Sequence, residues 1–166
     1  SDAPAYPRIL DLGTGTGCIL ISLVKNISGA SGLGVDVSRG ALRVARKNIA
    51  RHVPGRVSVL RRSYHCADIP TTPFDVIVSN PPYIARGDSR VDAGAMHDPK
   101  GALYAGDDGY AEYAVIAKNA RHWLKPAGKI YLEIGDGMAD RVRAIFQEAL
   151  WRFVCAERDL AGITRV

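Results

Sequence analysis

The stretch from residue 8 to residue 27, RILDLGTGTGCILISLVKNI, decides the fold. RILDLG reads as a strand and CILISLVKNI as a helix, with Ile19, Leu20, Leu23 and Val24 expected on its inward side. Between them lie Gly13, Gly15 and Gly17. Glycines at such a turn let the backbone approach a ligand closely, and their N–H groups feed into a helix N-terminus.

Reading outward, the alternation continues. GLGVDV is a second strand, and Ser38 is placed to cap a helix from about Arg39 to Arg51. RVSVLR is a third strand and FDVIVS a fourth. From Ile84 to about Asp108 the chain loses periodicity. That is too long for an ordinary connection and reads as a loop that grips substrate. Asp107 and Asp108 read as charges at the start of the helix from about Tyr110 to Leu124, with Ile116, Ala120 and Trp123 inward and KPAGK as its end. KIYLEIG is a fifth strand, MADRVRAIFQEALW a helix, and RFVCAE and ITRV the last two strands. Such alternation predicts one α/β domain: a mostly parallel, seven-stranded sheet with helices on both faces.

The composition agrees. The chain has 166 residues, 47% hydrophobic and 23% charged, enough for one domain with a full core. No stretch is long and apolar enough to span a bilayer, and SDAPAYPRIL lacks the features of a signal peptide. Cys18, Cys66 and Cys155 are far apart, which suits a reduced, cytoplasmic protein. The scattered His52, His65, His97 and His122 match no metal-ligand spacing, so no metal is expected. The net charge of +5 is uneven: eight Lys or Arg and no acid lie between Arg39 and Arg62. That run reads either as a face for RNA or as a solvated helix face. The second is favoured, because Leu42, Ala45 and Ile49 supply the matching apolar stripe.

In sheets of this kind ligands sit outside the carboxyl ends of the strands. A dinucleotide fingerprint, G-x-G-x-x-G, would need glycine at Cys18; here the spacing is G-x-G-x-G with Asp11 in front. An acid there repels a pyrophosphate and suits a ligand with an ammonium group. The second strand ends near Asp36, whose carboxylate can accept both ribose hydroxyls. A nucleoside bearing an amino acid is S-adenosylmethionine. The loop from Gly13 through Thr14, Gly15 and Thr16 to Gly17, with Asp11 and Asp36, is its candidate site.

The fourth strand runs into Asn80-Pro81-Pro82-Tyr83. The Asn80 side-chain oxygen and the Pro81 carbonyl are two acceptors on a stiff loop, since proline fixes φ and lacks an N–H. A planar –NH₂ group fits them, with Tyr83 packing on its plane. Holding both N–H bonds aims the nitrogen lone pair at a sulfonium methyl group, expected beside Asn80. As positive charge builds on nitrogen, the acceptors tighten. Adenine, cytosine, guanine and the glutamine amide all present such a group.

The motifs ILDLGTGTGCI, VDVSRGALRVARKN, FDVIVSNPPYI, DPKGAL, DDGY, LEIG and DLAGITRV together resemble the peptide chain release factor glutamine N5-methyltransferases, within the class I S-adenosylmethionine-dependent methyltransferases of Rossmann-like fold. The DLAG and RV ending is similar to the release-factor group rather than to its sister group acting on a ribosomal protein. The resemblance implies transfer of a methyl group from S-adenosylmethionine to the amide nitrogen of the glutamine in a release factor's Gly-Gly-Gln motif. It implies that Gly13 to Gly17, Asp36, Ser63, Tyr64 and Asn80 bind cofactor and that Asn80, Pro81, Pro82 and Tyr83 hold the glutamine. Residues 1–166 are then a single catalytic domain, with the family's N-terminal helical substrate-docking domain absent. The chain departs from the family pattern at Ser63, where an acid is usual, at Asp98 of Asp98-Pro99, where Glu is usual, and at Met138, where glutamine is usual. Two other readings stay open: amino methylation of a nucleic-acid base flipped onto Tyr83, and a non-catalytic S-adenosylmethionine-binding module.

Overall fold

The structure, a computed structural model, describes residues 6–66, 68–69, 73–83 and 109–166. The expected loop from Ile84 to Asp108, with Asp98, Asp107 and Asp108, lies outside the described residues. The chain divides into two compact units, residues 1–79 with 119–131, and residues 80–118 with 132–166.

In the first unit, β1 (Arg8–Leu12), β2 (Ser31–Asp36), β3 (Val57–Arg61) and β4 (Phe74–Ser79) alternate with α1 (Cys18–Asn26) and α2 (Arg39–His52). With β5 (Leu124–Leu132) they make a five-stranded sheet in the order β3-β2-β1-β4-β5. The β1–β2, β1–β4 and β2–β3 pairs are parallel, and the register sets Asp11 beside Gly34 and Leu12 beside Ser79. On one face, Ile9, Val59 and Val78 join Leu20, Ile21 and Val24 of α1 and Leu42, Ala45 and Ile49 of α2 in one core cluster. On the other face, Leu10, Leu12, Val35 and Ile77 are fully buried too. Burial on both faces is why these strands are nearly continuous apolar runs.

Glycines in β2 are what let α1 and its preceding turn lie on the sheet. A Cβ at Gly32 would stand 2.5 Å from Leu20 Cδ1, and one at Gly34 would stand 2.7 Å from both Thr14 Oγ1 and Cγ2. Ser38 caps α2 as expected, its hydroxyl accepting from the Ala41 N–H at 3.2 Å. On α1, Ile21 turns inward rather than Ile19, which is exposed.

Three expectations are corrected. KPAGK does not end a helix. The α-helix α3 (Ala111–Asn119) gives way to a 3-10 turn (Ala120–His122), and Pro126 and Gly128 lie within β5. An edge strand tolerates proline because one side of it needs no N–H donor, and glycine is required where a Cβ would come within 2.9 Å of the Asp75 carbonyl. Ile116, Ala120 and Trp123 are fully buried, as read. The sheet has five strands among the described residues, not seven. RFVCAE and ITRV do not form strands; a single antiparallel bridge joins Arg158 to Thr164. Residues 152–157 are all exposed; only the Glu157 backbone pairs, with the Val166 carbonyl and the Arg165 N–H, on either side of a tight turn in which the Asp159 carboxylate takes the Ala161 and Ile163 N–H groups.

The second unit contains most of α3 and α4 (Ala139–Glu148). Tyr113, Ile134, Met138 and Val142 form its core, with Tyr83, Tyr110, Leu132 and Phe146 packed against it. Trp151 donates its indole N–H to the Ala117 carbonyl at 2.8 Å, anchoring the segment after α4 to α3.

Candidate methyltransferase site

The turn after β1 is built around two carboxylates. Asp11, only 1% exposed, accepts a 2.6 Å hydrogen bond from the Thr14 hydroxyl. Burial pushes its pKa from 3.8 up to about 6, the Thr14 bond opposes the rise, and the nearby Asp36 charge adds to it. Asp36, at the end of β2, accepts from the Gly15 N–H at 2.8 Å through Oδ2 and from the Ser38 N–H at 2.7 Å through Oδ1. Each oxygen keeps a second lone pair for another donor. The two acids crowd negative charge at one loop, and a cation placed there would relieve it.

Backbone bonds fix the loop between them. The Gly13 and Thr14 N–H groups both donate to the Val35 carbonyl, at 2.9 and 3.0 Å, and the Gly17 N–H donates to the Thr14 carbonyl at 2.8 Å. Gly13, Gly15 and Gly17 all have positive φ, at 72°, 55° and 84°, a conformation that costs a side-chain-bearing residue. Asn48 of α2 donates to the Thr16 carbonyl at 3.0 Å. Beyond β3, the Tyr64 ring lies against the loop, its Cε1 3.9 Å from where a Gly13 Cβ would be. Asn119 donates to the Tyr64 carbonyl at 3.0 Å. Ser63 uses its hydroxyl to accept from the His65 N–H at 3.2 Å. Asp11, the Gly13–Gly17 loop and Tyr64 are thus gathered at the tip of β1, and Asp36 is bonded into the same loop.

The tip of β4 is pinned to that of β1, because the buried Ser79 hydroxyl donates to the Leu12 carbonyl at 2.7 Å. Asn80 is the next residue in the chain. In the second unit Asn80 is exposed, Pro81 buried, and Pro82 and Tyr83 half-buried. Tyr83 packs over Gly135: a Cβ there would stand 2.9 Å from its Cδ2 and 2.7 Å from Met138 Sδ. Tyr113 donates its hydroxyl to the Glu133 carbonyl at 2.9 Å, and burial raises its pKa beyond the ordinary tyrosine value. Glu133 therefore receives that bond on its backbone carbonyl.

Sequence reasoning missed three participants. Ser79 carried a signal, as the polar residue closing an apolar strand. Asn48 and Asn119 carried none, since their partners are set by tertiary placement; Thr14 was read as part of the loop, but not as the partner of Asp11. The run from Arg39 to Arg62 is outward: Arg39, Arg43, Arg46, Lys47 and Arg51 of α2 are exposed.

Residues 9–93 match the family model of the methyltransferase domain. The chain belongs to the methyltransferase domain family. It is 42% identical over 163 residues to the release factor glutamine methyltransferase of Bordetella pertussis, covering 98% of this chain and 60% of that protein. It is 40% identical over 164 residues to the bifunctional methyltransferase of Rickettsia felis, covering 97% of this chain and 31% of that protein. The resemblance read from the motifs is therefore matched by curated relatives, of whose length this chain spans only part. The structure of Aeropyrum pernix fibrillarin with natively bound S-adenosyl-L-methionine superposes with a TM-score of 0.65 at 13% identity, over 98% of this chain and 68% of that one. The fold is that of the class I S-adenosylmethionine-dependent methyltransferases, as the resemblance implied.

Proposed function

We propose that this domain transfers the methyl group of S-adenosylmethionine to the side-chain amide nitrogen of the glutamine in the Gly-Gly-Gln motif of a peptide chain release factor. The observation that carries the reading is the end of β4. A strand pinned to β1 through Ser79 and Leu12 runs without a break into Asn80-Pro81-Pro82-Tyr83. Curated relatives with the release-factor name support this choice of substrate over other amino groups.

In this reading the Gly13–Gly17 loop and Asp36 hold the cofactor. Asp36, already oriented by Gly15 and Ser38, accepts the ribose hydroxyls. Asp11 is too buried to be a broad contact surface; with Thr14 it shapes the loop and adds negative field for a ligand that carries two positive charges. Tyr64 packs on the adenine, and Ser63, with its short hydroxyl, leaves the adenine amino group without a charged acceptor. The Asn80 oxygen and the Pro81 carbonyl accept the two amide N–H bonds while Tyr83 packs on the amide plane. The nitrogen lone pair attacks the methyl carbon, the carbon–sulfur bond breaks with its electrons going to sulfur, and the sulfonium becomes a neutral thioether. The extra proton on nitrogen then leaves to water. No base is needed before attack, because alignment and charge stabilisation supply the acceleration.

Release factor as protein partner and a cytoplasmic setting belong to this proposal. Among the described residues no helix is long and apolar enough to cross a membrane. Amino methylation of a nucleic-acid base is kept as a second reading by the exposed cations of α2. The deciding experiment incubates the domain with labelled S-adenosylmethionine and, separately, release factor, tRNA, ribosomal RNA and DNA, with mass spectrometry of the digested products. A methyl group on the Gly-Gly-Gln amide nitrogen is the expected result. Methylated base with untouched release factor establishes the second reading, and no transfer to any of them leaves a binding module.

A further inference from the structure

We propose that Arg165 is a positioning residue for Tyr83, acting through Ile134 and Gly135; this rests on the reading of Tyr83 as the residue that packs on the substrate amide. The closing segment DLAGITRV is organised by one carboxylate. Asp159 Oδ1 accepts from the Ala161 N–H at 2.9 Å and the Ile163 N–H at 3.0 Å. Its backbone closes the same turn, with its N–H donating to the Ile163 carbonyl at 2.8 Å and its carbonyl accepting from the Gly162 N–H at 2.9 Å. Gly162 supplies the positive φ of 80° the turn needs. The other carboxylate oxygen, Oδ2, accepts from Arg165 Nε at 3.0 Å.

Arg165 then grips the chain just beyond β5. Its carbonyl accepts from the Ile134 N–H at 2.8 Å, and its Nη1 donates to the Ile134 carbonyl at 3.5 Å. Both backbone groups of one residue are thus met by one arginine. Ile134 is buried and directly precedes Gly135, the residue under the Tyr83 ring. One position earlier, the Glu133 carbonyl is held by the Tyr113 hydroxyl. The three residues after β5 therefore have separate duties: 133 and 134 are tied down, and 135 forms the seat. The Tyr83 ring and Met138 Sδ both lie within 3 Å of the Cβ position that Gly135 leaves empty, so a shift of this backbone moves the ring. The Arg165 guanidinium is also within electrostatic reach of Tyr83 and Asp136.

A purely structural role explains the side chain poorly. Arg165 and Asp159 each keep a third of their side-chain surface exposed, and an ion pair so open to solvent contributes little to stability. The Arg165 N–H donates to Glu157 and its carbonyl accepts from Ile134 whatever the side chain is. What the guanidinium adds is orientation of the Ile134 peptide, and hence of the seat.

The test compares Arg165→Ala, Arg165→Lys and Asp159→Asn with the unsubstituted protein. Measured are kcat on release factor at saturating cofactor, cofactor Kd, the unfolding midpoint, and the ¹³C resonances of labelled tyrosine, with Tyr83 assigned from Tyr83→Phe. A small misplacement of a substrate-positioning group can cost up to about 10²-fold in rate, so kcat of Arg165→Ala should fall about 10- to 100-fold. Cofactor Kd should stay within about twofold, the midpoint should hardly move, and the Tyr83 ring resonances should shift. Arg165→Lys, or N-ethylguanidinium added to Arg165→Ala, should restore part of the rate; an unfolded alanine variant would leave the lysine variant to answer. Unchanged kcat with unmoved Tyr83 resonances overturns the proposal, as does a rate loss that only tracks the loss of folded protein. If the unsubstituted protein leaves release factor unmethylated while Tyr83 responds to Arg165→Ala, the positioning stands and the substrate assignment fails.

Discussion

Replacing Asp11 by Asn should change how stability depends on pH, in a direction the structure fixes. Burial holds the Asp11 proton up to about pH 6, against 3.8 for an ordinary aspartate. Between these values the folded protein keeps a proton that the unfolded chain has released. Stability from this residue is therefore complete below about pH 4 and is lost as pH rises through about 6. At about 1.4 kcal/mol per tenfold change in proton affinity, the loss is about 3 kcal/mol. Asn has the same shape, can still engage the Thr14 hydroxyl, and has no proton to lose. Urea titrations of both proteins at intervals from pH 4 to pH 8 should give a stability difference that climbs by about 2.5 kcal/mol in favour of Asn, most of the full change, and then levels above pH 7. Any penalty from the buried amide N–H₂ is a constant offset and leaves the climb intact. A difference that stays flat across this range, or that moves toward Asp as pH rises, would refute the placement of Asp11 as a buried, charge-strained group. The same variant should lose cofactor affinity, because the strained charge is what a cationic ligand relieves.

Asp36→Ala should weaken S-adenosylmethionine binding by roughly 1–3 kcal/mol, since two hydroxyls lose a charged acceptor; calorimetry with unchanged affinity would place the ribose elsewhere. Asn80→Ala should lower kcat on the order of 10²–10³-fold with a smaller effect on cofactor Kd, and single-turnover assays showing the reverse ranking would remove Asn80 from the chemistry. On α2, Arg39, Arg43, Lys47 and Arg51 follow one another at four-residue intervals with no acid in the helix. Lys47→Glu replaces two repulsive neighbours by attractive ones and should raise stability by roughly 1 kcal/mol at low salt, a gain that shrinks at high salt; denaturant titrations showing no salt dependence would argue against it.

The elements that the sequence revealed are those in which a run of side chains has one environment. RILDL, GLGVD and FDVIVS are interior strands, and their buried faces left continuous apolar text between glycine and polar stops. On α2 the spacing of Leu42, Ala45 and Ile49 is itself the packing, and all three are buried as read. The misreadings share another cause. Pro126 looks like a break until β5 is seen to be outermost among the described strands, where one side of it needs no N–H donor. RFVCAE is apolar like a strand, yet its residues are all exposed, and only Glu157 at its end pairs, with Arg165 and Val166 across the turn that Asp159 caps. In the site, residue types were legible and their partners were not. The loop glycines, Asp36 and the Asn-Pro-Pro-Tyr run stand out as candidates in one dimension. Thr14 as the partner of Asp11, Ser79 as a pin and Asn119 as the anchor of Tyr64 depend on which strands lie side by side.

The hydrogen bonds of Asp36 to Gly15 and Ser38, with the loop bonds to Val35, are made wholly within the protein. If the loop is the cofactor cradle proposed above, it would treat the spent cofactor, S-adenosylhomocysteine, much as the fresh one, because the two share the ribose and the amino-acid tail. Only the sulfonium charge distinguishes them, and only through the field of two carboxylates. Such a domain would be throttled by its own product. Its output in a cell would follow the ratio of methylated to demethylated cofactor, so that a fall in methyl-group supply would be felt at this site even while the total pool stayed full.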